Sequence, residues 1–236
     1  MPAIKIYYDN TSVNKEVEPA WGFSALIKYK GRNILFDTGG DAKILLSNMK
    51  AMGSDPKYIW QIMISHDHWD HTGGLPKVLH ADQKVYVLRS FSQGLKDQVK
   101  AAGAKIVTVK RFQEIIGGMY SAGEMGQAIK EQSLVIDTDK GLIIVTGCSH
   151  PGIVHIVRET KEYFKKEIFL VLGGFHLYDL SNKKIESIIS DLRSLGVKKI
   201  APCHCTGEKA ISIFQKEYKN NFIKVGAGSI IDTAKL

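Results

Sequence analysis

The stretch Ser65-His66-Asp67-His68-Trp69-Asp70-His71-Thr72-Gly73-Gly74 constrains this chain more than any other. Four of its side chains, His66, His68, Asp70 and His71, are good ligands for a divalent metal. Just upstream, Ile59-Trp60-Gln61-Ile62-Met63-Ile64 is short and mostly apolar, and reads as a buried strand. The histidines therefore begin where a strand ends. His66 and His68 are two apart, so in extended backbone they project to the same side. Asp70 and His71 follow as the chain turns. Gly73-Gly74 lets the backbone bend closely around whatever is held there, and Pro76 suits the first turn of a following helix. The chain has eight histidines, and three of them fall within this stretch beside two aspartates. Imidazole and carboxylate together suit zinc, iron or manganese, with zinc first on ligand type.

Three more histidines sit where a shared site would want them. His150 follows Ile143-Ile144-Val145 in the loop Thr146-Gly147-Cys148-Ser149-His150-Pro151-Gly152. His176 follows Phe169-Leu170-Val171-Leu172 in Gly173-Gly174-Phe175-His176. His204 follows Lys199-Ile200-Ala201 in Pro202-Cys203-His204-Cys205-Thr206-Gly207. The repeated order of strand, loop and histidine is informative, because strand ends along one sheet edge lie near each other. His155, inside a helical stretch, and His80, with no acid–His cluster, are expected to be non-ligands. The three cysteines, Cys148, Cys203 and Cys205, are too few and odd in number for a disulfide framework. They flank the candidate ligands. Thiolate is a good zinc ligand, but the simpler expectation is small buried residues shaping the loops.

The remaining pattern alternates strands and helices. Strands are expected at 3–8, 23–29, 34–36, 84–88, 105–109, 133–137, 142–146, 168–172 and 198–201. Helices are expected at 41–52, 92–102, 153–164, through Ile185, Ile188, Ile189, Leu192 and Leu195, and at 208–218. Residues 117–126 take no assignment, and read as a loop over the site or a surface excursion. Pattern alone leaves a doubly wound α/β fold open. At 236 residues the chain is most simply one domain, 1–236. It has no apolar run of membrane-spanning length and no signal-peptide layout at Met1–Tyr8, so a cytoplasmic location and no membrane partner are expected. The net charge of +8 favours anionic substrates. The lysines are spread along the chain, however, with no nucleic-acid module.

The motif His66-x-His68-x-Asp70-His71 resembles the HxHxDH signature of the metallo-β-lactamase superfamily. Gly-Cys-Ser-His150, Gly-Gly-Phe-His176 and Cys-His204-Cys-Thr-Gly narrow that resemblance to one subgroup. It is the one named for 7,8-dihydropterin-6-methyl-4-(β-D-ribofuranosyl)aminobenzene-5′-phosphate synthase, of methanopterin biosynthesis. The resemblance implies an α/β fold, the αββα sandwich of two packed mixed β-sheets with helices outside. It implies a binuclear site: one ion on His66, His68 and His150, the other on Asp70, His71 and His204. It implies that Asp37, in Phe36-Asp37-Thr38-Gly39-Gly40, supports the metal loop by hydrogen bonding. His176 departs from the family pattern, which has a bridging Asp at that strand end. The nearest acid here is Asp179.

On this resemblance the chain is a metal-dependent enzyme acting on a phosphorylated small molecule, a pterin in the synthase case. The reaction would be hydrolysis by metal-activated water or dihydropterin transfer with pyrophosphate release. Two divalent ions would serve as cofactors, Asp70 would ligate metal and orient the attacking group, and His176 would contact substrate or move a proton. A nuclease and a non-catalytic metal or redox sensor are the alternatives. Fold and metal loops are shared across chemistries, so the motifs specify the subgroup better than the substrate.

Overall fold

The computed structural model describes all residues, 1–236. Its first sheet is built from β1 (Ala3–Tyr8), β2 (Ser24–Tyr29), β3 (Arg32–Phe36), β4 (Gln61–Met63), β5 (Lys84–Leu88) and β6 (Lys105–Val109). The second sheet holds β7 (Arg111–Ile116), β8 (Met119–Gly123), β9 (Leu134–Thr138), β10 (Gly141–Thr146), β11 (Ile168–Gly174) and β12 (Lys199–Cys203). A last strand, β13 (Ile230–Asp232), returns to pair with β1, giving the order β13-β1-β2-β3-β4-β5-β6 against β12-β11-β10-β9-β8-β7. Both sheets are mixed. β3, β4, β5 and β6 run parallel, as do β10, β11 and β12, while the other pairs are antiparallel.

Alternation along β10 and β11 shows how the sequence makes layers. Ile143, Val145, Leu170 and Leu172 face the core between the sheets, with Ile4, Ile6, Phe36, Ile62 and Ile136. Leu142, Ile144, Ile168 and Val171 face the other way. There they meet α5 (Ile153–Phe164), α6 (Asn182–Ser194) and α7 (Glu208–Tyr218) through Val157, Ile189 and Phe214. Both faces of these strands are covered, which is why they read as unbroken apolar runs. On the far side α1 (Ala42–Ala51) packs on β1 and α4 (Gln93–Ala101) on β6. The architecture is therefore the αββα sandwich, and the doubly wound alternative is excluded.

The strand expected at 59–64 is shorter than the sequence suggests. β4 spans only Gln61–Met63, after a 3₁₀ turn at Pro56–Tyr58 whose Lys57 N–H is accepted by Asp55. Residues 117–126 belong largely to an edge hairpin. Gly117 and Gly118 both take positive φ (58° and 85°) and join β7 to β8, the backbone a two-residue hairpin turn needs. Two very short helices, α2 (Trp69–Thr72) and α3 (Leu75–Val78), follow the histidine stretch, with Pro76 in the first turn of α3. Loops after the parallel strands β3, β4, β10, β11 and β12 converge where the two sheets meet. This is the carboxyl-end position at which parallel sheets commonly hold ligands.

Candidate metal centre

Asp37 organises the centre. It follows β3 in left-handed backbone (φ 57°) and is fully buried. Its Oδ1 accepts the Ser65 N–H at 2.6 Å. Its Oδ2 accepts both the Ser65 hydroxyl and His71 Nδ1, each at 2.7 Å. The Ser65 hydroxyl, having given its proton to Asp37, accepts from His66 Nδ1 at 2.9 Å. His204 Nδ1 donates in the same way to Asn10 Oδ1 at 3.0 Å. This network assigns the Nδ1 protons: His66, His71 and His204 each spend Nδ1–H on a partner and turn Nε2 inward. Outer partners of this kind orient metal-binding imidazoles.

Two ligand-type groups result. His66, His68 and His150 form one, with all their donor atoms within 4.8 Å of one another. His66 Nε2 lies 3.1 Å from His68 Nδ1, and the buried His150 Nε2 has no hydrogen-bond partner. Asp70, His71 and His204 form the other, joined by Cys148. Asp70 Oδ2 is 3.6 Å from His71 Nε2 and 3.4 Å from His204 Nε2. Convergent imidazole nitrogens, that of His150 without a partner, beside a buried carboxylate fit a divalent metal.

Electrostatics separate the groups. Burial, then the neighbouring imidazoles, push His66 well below its ordinary value, and burial with His176 and His68 pulls His150 down to about 4. That group is neutral and offers lone pairs. In the other group burial opposes charge on His71, but the Asp37 carboxylate overrides it and raises His71 to about 9. Burial works against ionised Asp70 as well, yet the His204 hydrogen bond and the charge of His71 hold it far below the usual range. A proton on His71 stands in for a cation between the two acids.

All six ligand candidates of the sequence reading thus come together, in the two sets expected. His176 lies beside them. Its ring is 4.6 Å from that of His150, its Nδ1 is buried without a partner, and Cys148 and Cys205 complete a third group around it. Asp179 is exposed and joins no group. His80 packs on Trp60, and His155 faces Glu159 on the surface of α5; both lie outside the groups.

Several residues of the site had escaped the sequence reading. Asp9 Oδ1 accepts the His204 N–H at 2.8 Å, and Asn10 holds the same residue from the other side. The signal was present: Asp9 directly follows a strand, as Asp37 does. Glu131, fully buried, accepts the N–H groups of Cys148, Ser149 and His150 at 2.8–2.9 Å and so shapes the β10 loop. Burial nevertheless raises its carboxyl to about 7. Gly147 is required by contact, since a Cβ there would run into the Ser65 hydroxyl and Asp37. Trp21 and Trp69 stand against Gly40, and Trp21 lies 5.2 Å from the His204 ring. Tyr178 lies 5.4 Å from His176. These three aromatics are 48%, 64% and 54% exposed, so they rim the site. An open cleft of about 640 Å³ beside His150 is lined by Gly126–Ile129, Pro151 and His155.

Comparison with known proteins agrees with this picture. The family model of the metallo-beta-lactamase superfamily matches residues 22–91. The 7,8-dihydropterin-6-methyl-4-(β-D-ribofuranosyl)-aminobenzene-5′-phosphate synthase of Methanocaldococcus jannaschii is 35% identical, over 97% of this chain and 96% of that protein. An uncharacterized protein of the same organism is 32% identical over 97% of this chain and 99% of its own. The crystal structure of Tm1679, a metal-dependent hydrolase of the beta-lactamase superfamily, superposes with a TM-score of 0.84 at 30% identity, covering 99% of each chain. The chain belongs to the metallo-β-lactamase superfamily, and it is homologous along nearly its whole length to the dihydropterin synthase. No helix is long and apolar enough to cross a membrane.

Proposed function

We propose that the chain is a two-metal enzyme that transfers a dihydropterin group from a diphosphate ester to a phosphorylated arylamine. His66, His68 and His150 hold one divalent ion, and Asp70, His71 and His204 the other. Zinc is the first candidate, because imidazole and carboxylate suit it. The observation that carries the reading is the pairing of two ligand groups with a rim of exposed aromatic rings, Trp21, Trp69 and Tyr178. A planar heteroaromatic substrate gains stacking area on such a rim. The full-length similarity to the synthase supports the same substrate class.

When bound, the ions supply Lewis-acid stabilisation of charge on the leaving diphosphate. The chain does the rest. Asp37 and Ser65 keep His66 and His71 turned inward, and Asn10 does so for His204. The aromatic rim places the pterin methylene carbon over the ligand groups. The arylamine nitrogen attacks that carbon, the carbon–oxygen bond to diphosphate breaks, and the amine proton leaves. His176, between His150 and Tyr178 at the mouth, hydrogen-bonds the substrate.

Hydrolysis of a phosphorylated small molecule is the second reading, supported by the likeness to Tm1679. Zinc-loaded protein incubated with dihydropterin-methyl diphosphate, with and without the ribofuranosylaminobenzene phosphate, separates the two. Mass spectrometry should find the coupled product only when both are present. Pterin alcohol formed without the acceptor would favour hydrolysis. Neither product, with His68→Ala indistinguishable from wild type on a phosphoester panel, would end both readings.

A further inference from the structure

The second ligand group holds one side chain that the proposed reaction leaves unused. Cys148 Sγ lies 3.3 Å from His71 Nε2 and 3.4 Å from His204 Nε2, and shares their group with Asp70. We propose that Cys148 is a thiolate ligand of the second metal position, completing a set of Asp70, His71, Cys148 and His204. The inference rests on the two-metal reading above and deepens it.

Geometry, tautomer and charge all favour it. Around a tetrahedral zinc, metal–nitrogen bonds of about 2.0–2.1 Å and a metal–sulfur bond of about 2.3 Å put neighbouring donors about 3.3–3.8 Å apart. Four edges of the group, at 3.3, 3.4, 3.4 and 3.6 Å, already have that size. Both histidines give Nδ1–H to outer partners, so their Nε2 atoms face the same point as the sulfur. Without Cys148, Asp70 would be the sole anion of this group against a doubly charged ion. β11 ends in Gly173-Gly174 and offers no acid there, Asp179 is exposed, and Glu131 is taken up by the N–H groups of Cys148, Ser149 and His150. A thiolate supplies the second negative charge. As the sulfur–metal bond forms, the thiol proton is released to solvent and no electron changes hands.

The sulfur is also held in place. Glu131 Oε1 accepts the Cys148 N–H at 2.9 Å, so the β10 loop cannot drift from the group. Cys148 is buried, and beyond its own group its sulfur has only the Cys205 thiol and the His176 ring in reach. Cys205 is the natural competitor. It shares the third group with His176 and with Cys148 itself, stands outside the group of Asp70, His71 and His204, and its Sγ donates to the Cys148 carbonyl at 3.6 Å. Cys203 joins none of the three groups.

The test is a titration of metal-free protein with cobalt, followed by zinc X-ray absorption on the dizinc wild type. One sulfur shared over two bound zincs, at about 2.3 Å, is expected, with a sulfur-to-cobalt charge-transfer band appearing on the second equivalent. Cys148→Ser should lose the band while still binding the first equivalent at the three-histidine group. Cys205→Ser should keep it. Two bound ions with no sulfur shell would overturn the inference and leave the two-metal reading standing. A band that survives in Cys148→Ser and disappears in Cys205→Ser would assign the ligand to Cys205 instead. A protein that takes up no metal would sink the two-metal reading itself. Should Cys148→Ser fail to fold, the wild-type sulfur shell and its persistence in Cys205→Ser decide the matter.

Discussion

His71 and His68 stand three residues apart in one loop, yet they belong to different kinds of site. His71 is fully buried, and its Nδ1 donates to Asp37, which also ties down the Ser65 backbone and hydroxyl. His68 is half-buried and starts a one-turn helix whose side-chain cap is missing. Its Nδ1 meets only another imidazole, that of His66. The group around His71 is part of the junction between the two sheets; His68 and His150 sit on its rim. The difference teaches that ligands can be matched in chemistry and mismatched in structural cost. Replacing a ligand in the first group should cost metal, while replacing the support of the second should cost the fold as well.

The largest effect is expected from Asp37→Ala. It strands the Ser65 N–H and hydroxyl and leaves a charged His71 buried without its counter-ion. Breaking a buried pair by removing one partner costs about 3–5 kcal/mol. Denaturant unfolding of the metal-free protein measures it. A loss under about 1 kcal/mol would mean that Asp37 orients ligands without supporting the junction, and the contrast with His68 would collapse.

Ser65→Ala comes next. It removes one of three bonds to Asp37 and the acceptor for His66 Nδ1, but leaves the His71 pair intact. A hydrogen bond to a charged group is worth about 1.5–3 kcal/mol, so stability should fall by about that much. The free imidazole of His66 should also take either tautomer, weakening metal binding at the first group without abolishing it. Calorimetric titration with zinc, compared with wild type, reads that second effect. Unchanged zinc affinity would show that the Ser65 bond does not fix the ring.

The sequence made much of this legible, and unevenly. The sandwich followed from the resemblance carried by the HxHxDH motif, since the apolar runs at β10 and β11 mark strands buried on both faces, which a doubly wound fold would share. The six candidate positions were legible because five are histidines, a residue used only eight times in the chain, and all six lie in loops that follow strands. What pattern could not reach was the backing. Asp9, Asn10 and Glu131 act across 17 or more residues of sequence, through backbone N–H groups and one imidazole. Such bonds leave no periodicity. Cys148 was hidden for a related reason, because a small buried cysteine in a loop looks the same whether it fills space or faces two imidazoles. Backbone strain was equally silent: Asp37, Ser149, His176 and His204 all take positive φ without being glycine. Four such residues in the ligand loops fit the tendency of strained conformations to gather where surrounding contacts over-determine them.

The smallest structural effect should come from His68→Ala, and that makes it the sharpest arm of the comparison. Its side chain is half-exposed and supports no backbone group, so metal-free stability should move by no more than about 0.5 kcal/mol. Function should respond in the opposite way. One ion should be lost from the three-histidine group, because two imidazoles alone make a poor zinc site, and turnover should vanish with it. The Asp70, His71 and His204 group should keep its ion. Elemental analysis beside a thermal melt gives both numbers from one preparation. If His68→Ala instead unfolds the metal-free protein as readily as Asp37→Ala does, the rim is as structural as the junction, and the two groups are one cooperative unit rather than two sites of different kinds.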